Sequence, residues 1–126
     1  MRIETKIAVP YSLMFLMDPQ HGQTPENMRG SLIAATTSCV AIGTFPDSEG
    51  ETKIVLTNER GTKDQPFLLV FDGTIQMPNG EVSVCTALNE ALLTLKLETK
   101  QCRVNIWVNS TETPDEIEIL TEPLFG

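Results

Sequence analysis

The chain has 126 residues, a hydrophobic fraction of 40% and a formal net charge of -8. Those values fit one globular domain over 1–126 that buries roughly two-thirds of its unfolded surface without a metal or disulfide, and they exclude a disordered chain. Nine Lys and Arg stand against seventeen Asp and Glu, which argues against direct contact with nucleic acid or an anionic membrane, since both need a basic footprint.

Arg2–Val9 reads as a first strand ended by Pro10, and Tyr11–Met17 as a second. A proline between two apolar runs is typical of a strand that changes direction or changes sheet. Tyr11 reads as a packing residue. No export signal is expected, because charged Arg2, Glu4 and Lys6 replace the continuous apolar core that a signal requires. Tyr11–Met17 is also too short to cross a bilayer. Asp18–Gly30 is the longest loop, and Thr24-Pro25 within it can open a single helical turn. Ser31–Ala35 fits helix or strand; Ser38–Thr44 favours a strand.

Pro46–Gly50 is a turn, and Glu51–Thr57 is a strand expected to form a hairpin with the one before it. Asn58–Gln65 is a polar turn. Pro66–Phe71 is nearly all apolar and predicts a central strand buried on both sides, broken at Asp72-Gly73. A short strand Thr74–Met77 follows. Asn79-Gly80 is the strongest hairpin signal in the chain, and Glu81–Thr86 comes next with Val82 and Val84 inward. In Ala91–Glu98, Leu93, Leu95 and Leu97 alternate with Leu92, Thr94 and Lys96. Leu88, Leu92 and Leu95 also fit a helical spacing, but the alternation favours a strand. In Cys102–Asn109, Cys102, Val104, Ile106 and Val108 point inward, leaving Arg103, Asn105, Trp107 and Asn109 outward. The last strand, Glu116–Thr121, reads as an acidic surface strand. About eight to ten short strands at near-regular spacing predict an all-β, antiparallel β-sandwich.

No catalytic constellation is visible. His21 is the only histidine and lies in a loop, with no nucleophile or orienting carboxylate that the sequence can place beside it. A weaker alternative sets His21 and Asp18 in a pocket. Cys39, Cys85 and Cys102 are widely spaced, form no CxxC pair and sit in apolar runs. They read as buried free thiols of a cytoplasmic protein and make no zinc site with His21. There is no Gly-rich phosphate loop, and no cofactor is implied. The expectation is a non-catalytic protein.

The acids are clustered. Asp47, Glu49 and Glu51 crowd one turn, and Glu112, Asp115, Glu116, Glu118 and Glu122 fill the C-terminal segment without a basic residue. Such clusters serve solubility and edge protection, or they attract a basic protein, raising association rates roughly 10- to 1000-fold at low salt. Arg103, Asn105 and Trp107 add interface composition, since Trp and Arg dominate binding hot spots. The candidate partner-binding residues are therefore Arg103, Asn105, Trp107, Asp115, Glu116 and Glu118.

Four stretches resemble a family of small bacterial β-sandwich proteins typified by competence protein J, the inhibitor of a nuclease of DNA uptake. They are Tyr11–Asp18 (YSLMFLMD), Ser38–Leu56 with CVAIGT joined through an acidic turn to ETKIVL, Pro66–Val84 (PFLLVFDGTIQMPNGEVSV) and Arg103–Val108. Their order and spacing cover most of the chain. Thr99-Lys100-Gln101-Cys102 departs from the pattern, where a Gly and an aromatic are usual. The resemblance implies a twisted β-sandwich that binds another protein, as an inhibitor or immunity protein against a basic nuclease or toxin. It transfers no binding residue. The alternative is a ligand-binding or structural β-sandwich, either a carbohydrate-binding-like module or a subunit of a homo-oligomer. One Trp and one Tyr are few for a sugar site.

Overall fold

Two five-stranded sheets face each other across one hydrophobic core. The computed structural model describes residues 1–60 and 67–125. The described strands are β1 (Arg2–Ile7), β2 (Leu13–Met17), β3 (Ile33–Ala35), β4 (Cys39–Gly43), β5 (Thr52–Thr57), β6 (Leu68–Gln76), β7 (Glu81–Thr86), β8 (Ala91–Lys96), β9 (Gln101–Val108) and β10 (Glu116–Pro123). One sheet, sheet A, runs β1-β5-β10-β9-β6; the other, sheet B, runs β3-β4-β2-β7-β8. All-β sandwich architecture is thus as expected. One pair departs from antiparallel order: β10 lies parallel to β5.

The period of two explains the core. Met14 and Leu16, Val40 and Ile42, Val82 and Val84, and Leu93 and Leu95 project from sheet B. They meet Ile54 and Leu56, Val104 and Ile106, and Ile117 and Ile119 from sheet A. On the opposite face of sheet B, Met17, Cys39 and Cys85 form a smaller buried cluster with Phe15. The Asp18–Gly30 loop packs on it at Gly22, where an added Cβ would stand 2.5 Å from Met17 Cβ, so only glycine fits.

Several sequence expectations change at the level of pairing. Pro10 does switch sheets, from β1 in sheet A to β2 in sheet B. The helical turn lies there as a 3-10 turn, Pro10–Ser12, and not at Thr24–Asn27. Tyr11 is 73% exposed and does not pack. The strands around Pro46–Gly50 form no hairpin, because β4 belongs to sheet B and β5 to sheet A. Asn79-Gly80 likewise carries the chain from β6 to β7 across the sandwich, with Gly80 at φ 73° donating its N–H to the Met77 carbonyl (2.9 Å). A tight turn fixes a local reversal; which sheet receives the next strand depends on residues far away.

The Pro66–Phe71 run is not central. Its described part opens β6, an edge strand, which continues through Asp72 and Gly73 to Gln76. Pro66 and most of the polar turn Asn58–Gln65 lie outside the described residues. Conversely, β10 is the middle strand of sheet A, not a surface strand.

Candidate functional site

The outer face of sheet A gathers most of the predicted partner-binding residues. The register aligns Trp107 with Glu118 on one side and Leu69 on the other, Asn105 with Leu120 and Asp72, and Arg103 with Glu122 and Thr74. Arg103, Asn105 and Trp107 therefore share one face with Glu116 and Glu118, as the alternation implied. Their exposures differ. Arg103 is exposed and Trp107 half-buried, while Asn105 (7% exposed) and Glu118 (5%) are buried.

Charges on this face are paired by residues from distant sequence. Arg2 Nη2 donates to Glu118 Oε1 at 2.9 Å. Arg60 grips Glu122 with Nε and Nη2, both at 2.7 Å. Arg103 grips Asp72 through Nε at 3.0 Å and Nη2 at 2.9 Å. The hydrogen bonds from Arg103 hold the Asp72 carboxyl below its ordinary range, aided by Asn105 and the charge of Arg60, and the same pair raises Arg103. Two-pronged Arg–carboxylate contacts fix orientation more than they stabilise an exposed surface. The charge that reads as one-signed along the C-terminal segment is thus partly neutralised in space.

Two further groups of acids come together at one end of the sandwich. Because β5 and β10 run parallel, with Lys53 opposite Glu116, their starting turns come together. The β4–β5 turn brings Asp47, Glu49 and Glu51, and the β9–β10 turn brings Glu112, Asp115 and Glu116. A cleft of about 570 Å³ between them is lined by Phe45, Gly50, Glu51, Asp115 and Glu116, with Lys6 and Lys53 along one side. The second turn is locked by Asn109, whose Nδ2 donates to Asp115 Oδ1 (2.5 Å) and whose Oδ1 accepts the Glu116 N–H (3.2 Å). Asp115 and Glu116 are therefore held in place, not floating on a tail.

Tyr11 belongs to this end and was missed. It stands at φ 60° with Ser12 at φ 55°, a left-handed conformation unfavourable for both. Ser12 anchors the turn: its carbonyl accepts the Thr44 N–H (3.0 Å), and its Oγ accepts the Asp47 N–H (3.1 Å). Pro10-Tyr11 carries no local signal for such a backbone. Leu68 and Leu69 on β6, also missed as surface residues, are 50% and 52% exposed.

Of the groups considered for catalysis, Asp18 and the three cysteines are buried and His21 is not. Asp18 is fully buried, and its two oxygens accept the N–H groups of Gln20 (3.0 Å) and Asn79 (2.8 Å), tying the long loop to the Asn79-Gly80 turn. His21 is exposed in that loop. All three cysteines are free and buried, and burial pushes the Cys39 and Cys102 thiols up to about 12, so they stay protonated and unreactive. Among the described residues, no group of three or more His, Cys, Asp or Glu is arranged to hold a metal ion. No helix there is long and apolar enough to cross a membrane.

No protein-family model matches the chain, and no curated protein matches it in sequence. Two solved structures share its fold. One is ComJ, inhibitor of the DNA-degrading activity of NucA, from Bacillus subtilis, at 9% identity and a TM-score of 0.63, covering 97% of this chain and 96% of ComJ. The other is the product described as crocagin biosynthetic gene J, at 14% identity and a TM-score of 0.51, covering 98% of this chain and 96% of that one. At such identities the likeness is one of fold, and it agrees with the resemblance read from the sequence.

Proposed function

We propose that the protein is a non-catalytic inhibitor or immunity protein that binds a basic protein, a nuclease or toxin, and occludes its cationic cleft. The observation that carries this reading is the convergence of two acidic turns, 47–51 and 112–116, at one end of a sandwich whose fold is shared along its length with a nuclease inhibitor. Asp115 and Glu116 contact the partner's Lys and Arg directly, and Trp107 with Arg103 forms the flank. Asn105 and Glu118, both buried, act beneath the surface by holding Asp72 and Arg2. A clustered negative field accelerates encounter with a cationic partner, and the few pairs that become desolvated hold the complex. Three free thiols fit a reducing cytoplasm as its place of action.

The test is DNA degradation by NucA and by other basic nucleases, with and without the protein. The wild type is compared with an Asp115→Asn, Glu116→Gln, Glu112→Gln variant, and separately with Glu118→Gln. The expected result is inhibition that weakens as salt rises and is reduced at least about tenfold in the triple variant. Equal inhibition and an equal salt slope in the triple variant would sink the acidic-interface reading.

A further inference from the structure

The four strands that end the two sheets are not alike. β3 has three residues, β1 carries Arg2, Glu4 and Lys6, and β8 carries Lys96. Short length and charge are how natural sheets prevent their edges from pairing with other chains. The first half of β6 has neither, only a register shift between Leu69 and Phe71: Leu68, Leu69, Val70 and Phe71 follow one another, the first two half exposed. Its far end is already covered, because the Gln76 N–H donates to the Thr37 carbonyl (2.8 Å) on the side away from β9. By the alternation of an antiparallel strand, Thr74 and Asp72 turn their backbone groups toward the same open side. Among the described residues no strand pairs there.

We propose that the free edge of β6, from Leu68 to Thr74, receives an extended segment of the cationic protein partner as a sixth strand of sheet A; this rests on the inhibitor reading above. Strand addition draws its affinity from main-chain hydrogen bonds and its selectivity from alternate side chains. Two observations choose this occupant. The first is continuity with the acidic end. Leu68 pairs with Val108 and Val108 with Ile117, so Leu68 stands level with the turn that carries Glu112, Asp115 and Glu116. A segment with apolar residues over Leu68 and Leu69, and Lys or Arg where it passes that turn, matches both surfaces. The second disfavours another copy of this chain. Two copies each bring a net charge of -8 and repel, whereas a cationic segment is attracted.

The experiment is amide hydrogen exchange on the full chain, followed by NMR, with an eight-residue peptide alternating Val and Lys and a Val–Glu peptide as control. The expected result is that the Val–Lys peptide slows exchange at Asp72 and Thr74 by about tenfold or more. The control does not. Thr74→Pro, which removes an N–H that the β9 ladder does not use, abolishes the effect with an unchanged circular dichroism spectrum. Should that variant fold poorly, Leu69→Lys provides the same test through charge repulsion. Unchanged exchange at millimolar Val–Lys peptide overturns the proposal. So does protection already present without peptide in a protein that light scattering shows to be a dimer. A Thr74→Pro protein that still inhibits a nuclease, beside acid variants that do not, overturns strand addition and leaves the inhibitor reading intact.

Discussion

Arg2 and Glu118, 116 positions apart in sequence, meet at 2.9 Å on the outer face of sheet A, where the carboxylate side chain is only 6% exposed and the guanidinium half exposed. The pair explains how an acidic strand can sit in the middle of a sheet. β1 is hydrogen-bonded to β5, and β5 to β10, so Arg2 reaches over β5 to the Glu118 row. Removing the cation leaves a buried carboxylate without that partner. Arg2→Ala is expected to cost about 1 to 3 kcal/mol, below the full value for a buried pair because Arg2 itself is solvated. Glu118→Gln is expected to cost less. Urea midpoints of the two variants check this.

Asp72 supplies a pH signature. The Arg103 hydrogen bonds lower its carboxyl below the ordinary 3.8. A depressed carboxyl contributes stability that is present above its unfolded value and is lost as pH falls through its folded one. In Arg103→Ala the carboxyl returns toward 3.8, held down only by Asn105 and Arg60, and the contribution shrinks. Carbon-detected NMR titration of Asp72 between neutral pH and pH 2 is expected to show an upward shift in the variant. A titration indistinguishable from wild type would mean that the Arg103 contact is not formed in solution.

Asp18 is expected to be structural. Asp18→Ala removes a buried acceptor from two backbone N–H groups, those of Gln20 and Asn79, whose residues are themselves exposed. The expected loss is about 1 to 3 kcal/mol, read as a fall in Tm. The amides of Gln20 and Asn79 are expected to exchange faster in step, because one carboxylate holds both.

Tyr11 is a surface side chain on an unfavourable backbone. Tyr11→Gly relieves the left-handed strain and is expected to leave stability unchanged or raise it by up to about 1 kcal/mol. If the same substitution weakens nuclease inhibition, Tyr11 is part of the interface, at the end where Asp47 bonds to its neighbour Ser12. Thermal denaturation and the inhibition assay separate the two effects.

The alternation of Leu93, Leu95 and Leu97, and of Cys102, Val104, Ile106 and Val108, was legible because period two is written into consecutive residues, and all seven are buried. The membership of each strand in a sheet was not. Asn79-Gly80 makes the same tight reversal whether it joins two partners in one sheet or crosses to the other. The apolar run ending at Phe71 looked central because nothing local distinguishes a strand buried on both faces from an edge strand with exposed leucines. The acids of β10 looked unpaired because their arginines, Arg2 and Arg60, lie far back in the chain. For the site, the sequence identified the two acidic turns separately; only the parallel pairing of β5 with β10 brings them together.

That pairing also governs the order in which the molecule can be completed. β10 joins two halves of sheet A, β1-β5 and β9-β6, that touch each other through nothing else in the sheet. A nascent chain made only as far as Val108 has sheet B within reach, yet holds sheet A as two separate ladders. Closing them waits for Glu116–Pro123, which pairs with strands far earlier in the sequence. Until then the inner edges of β5 and β9 are open to any other strand nearby. The last of the described strands to emerge is therefore the keystone of the sheet, and cleavage ahead of it would divide sheet A down its centre.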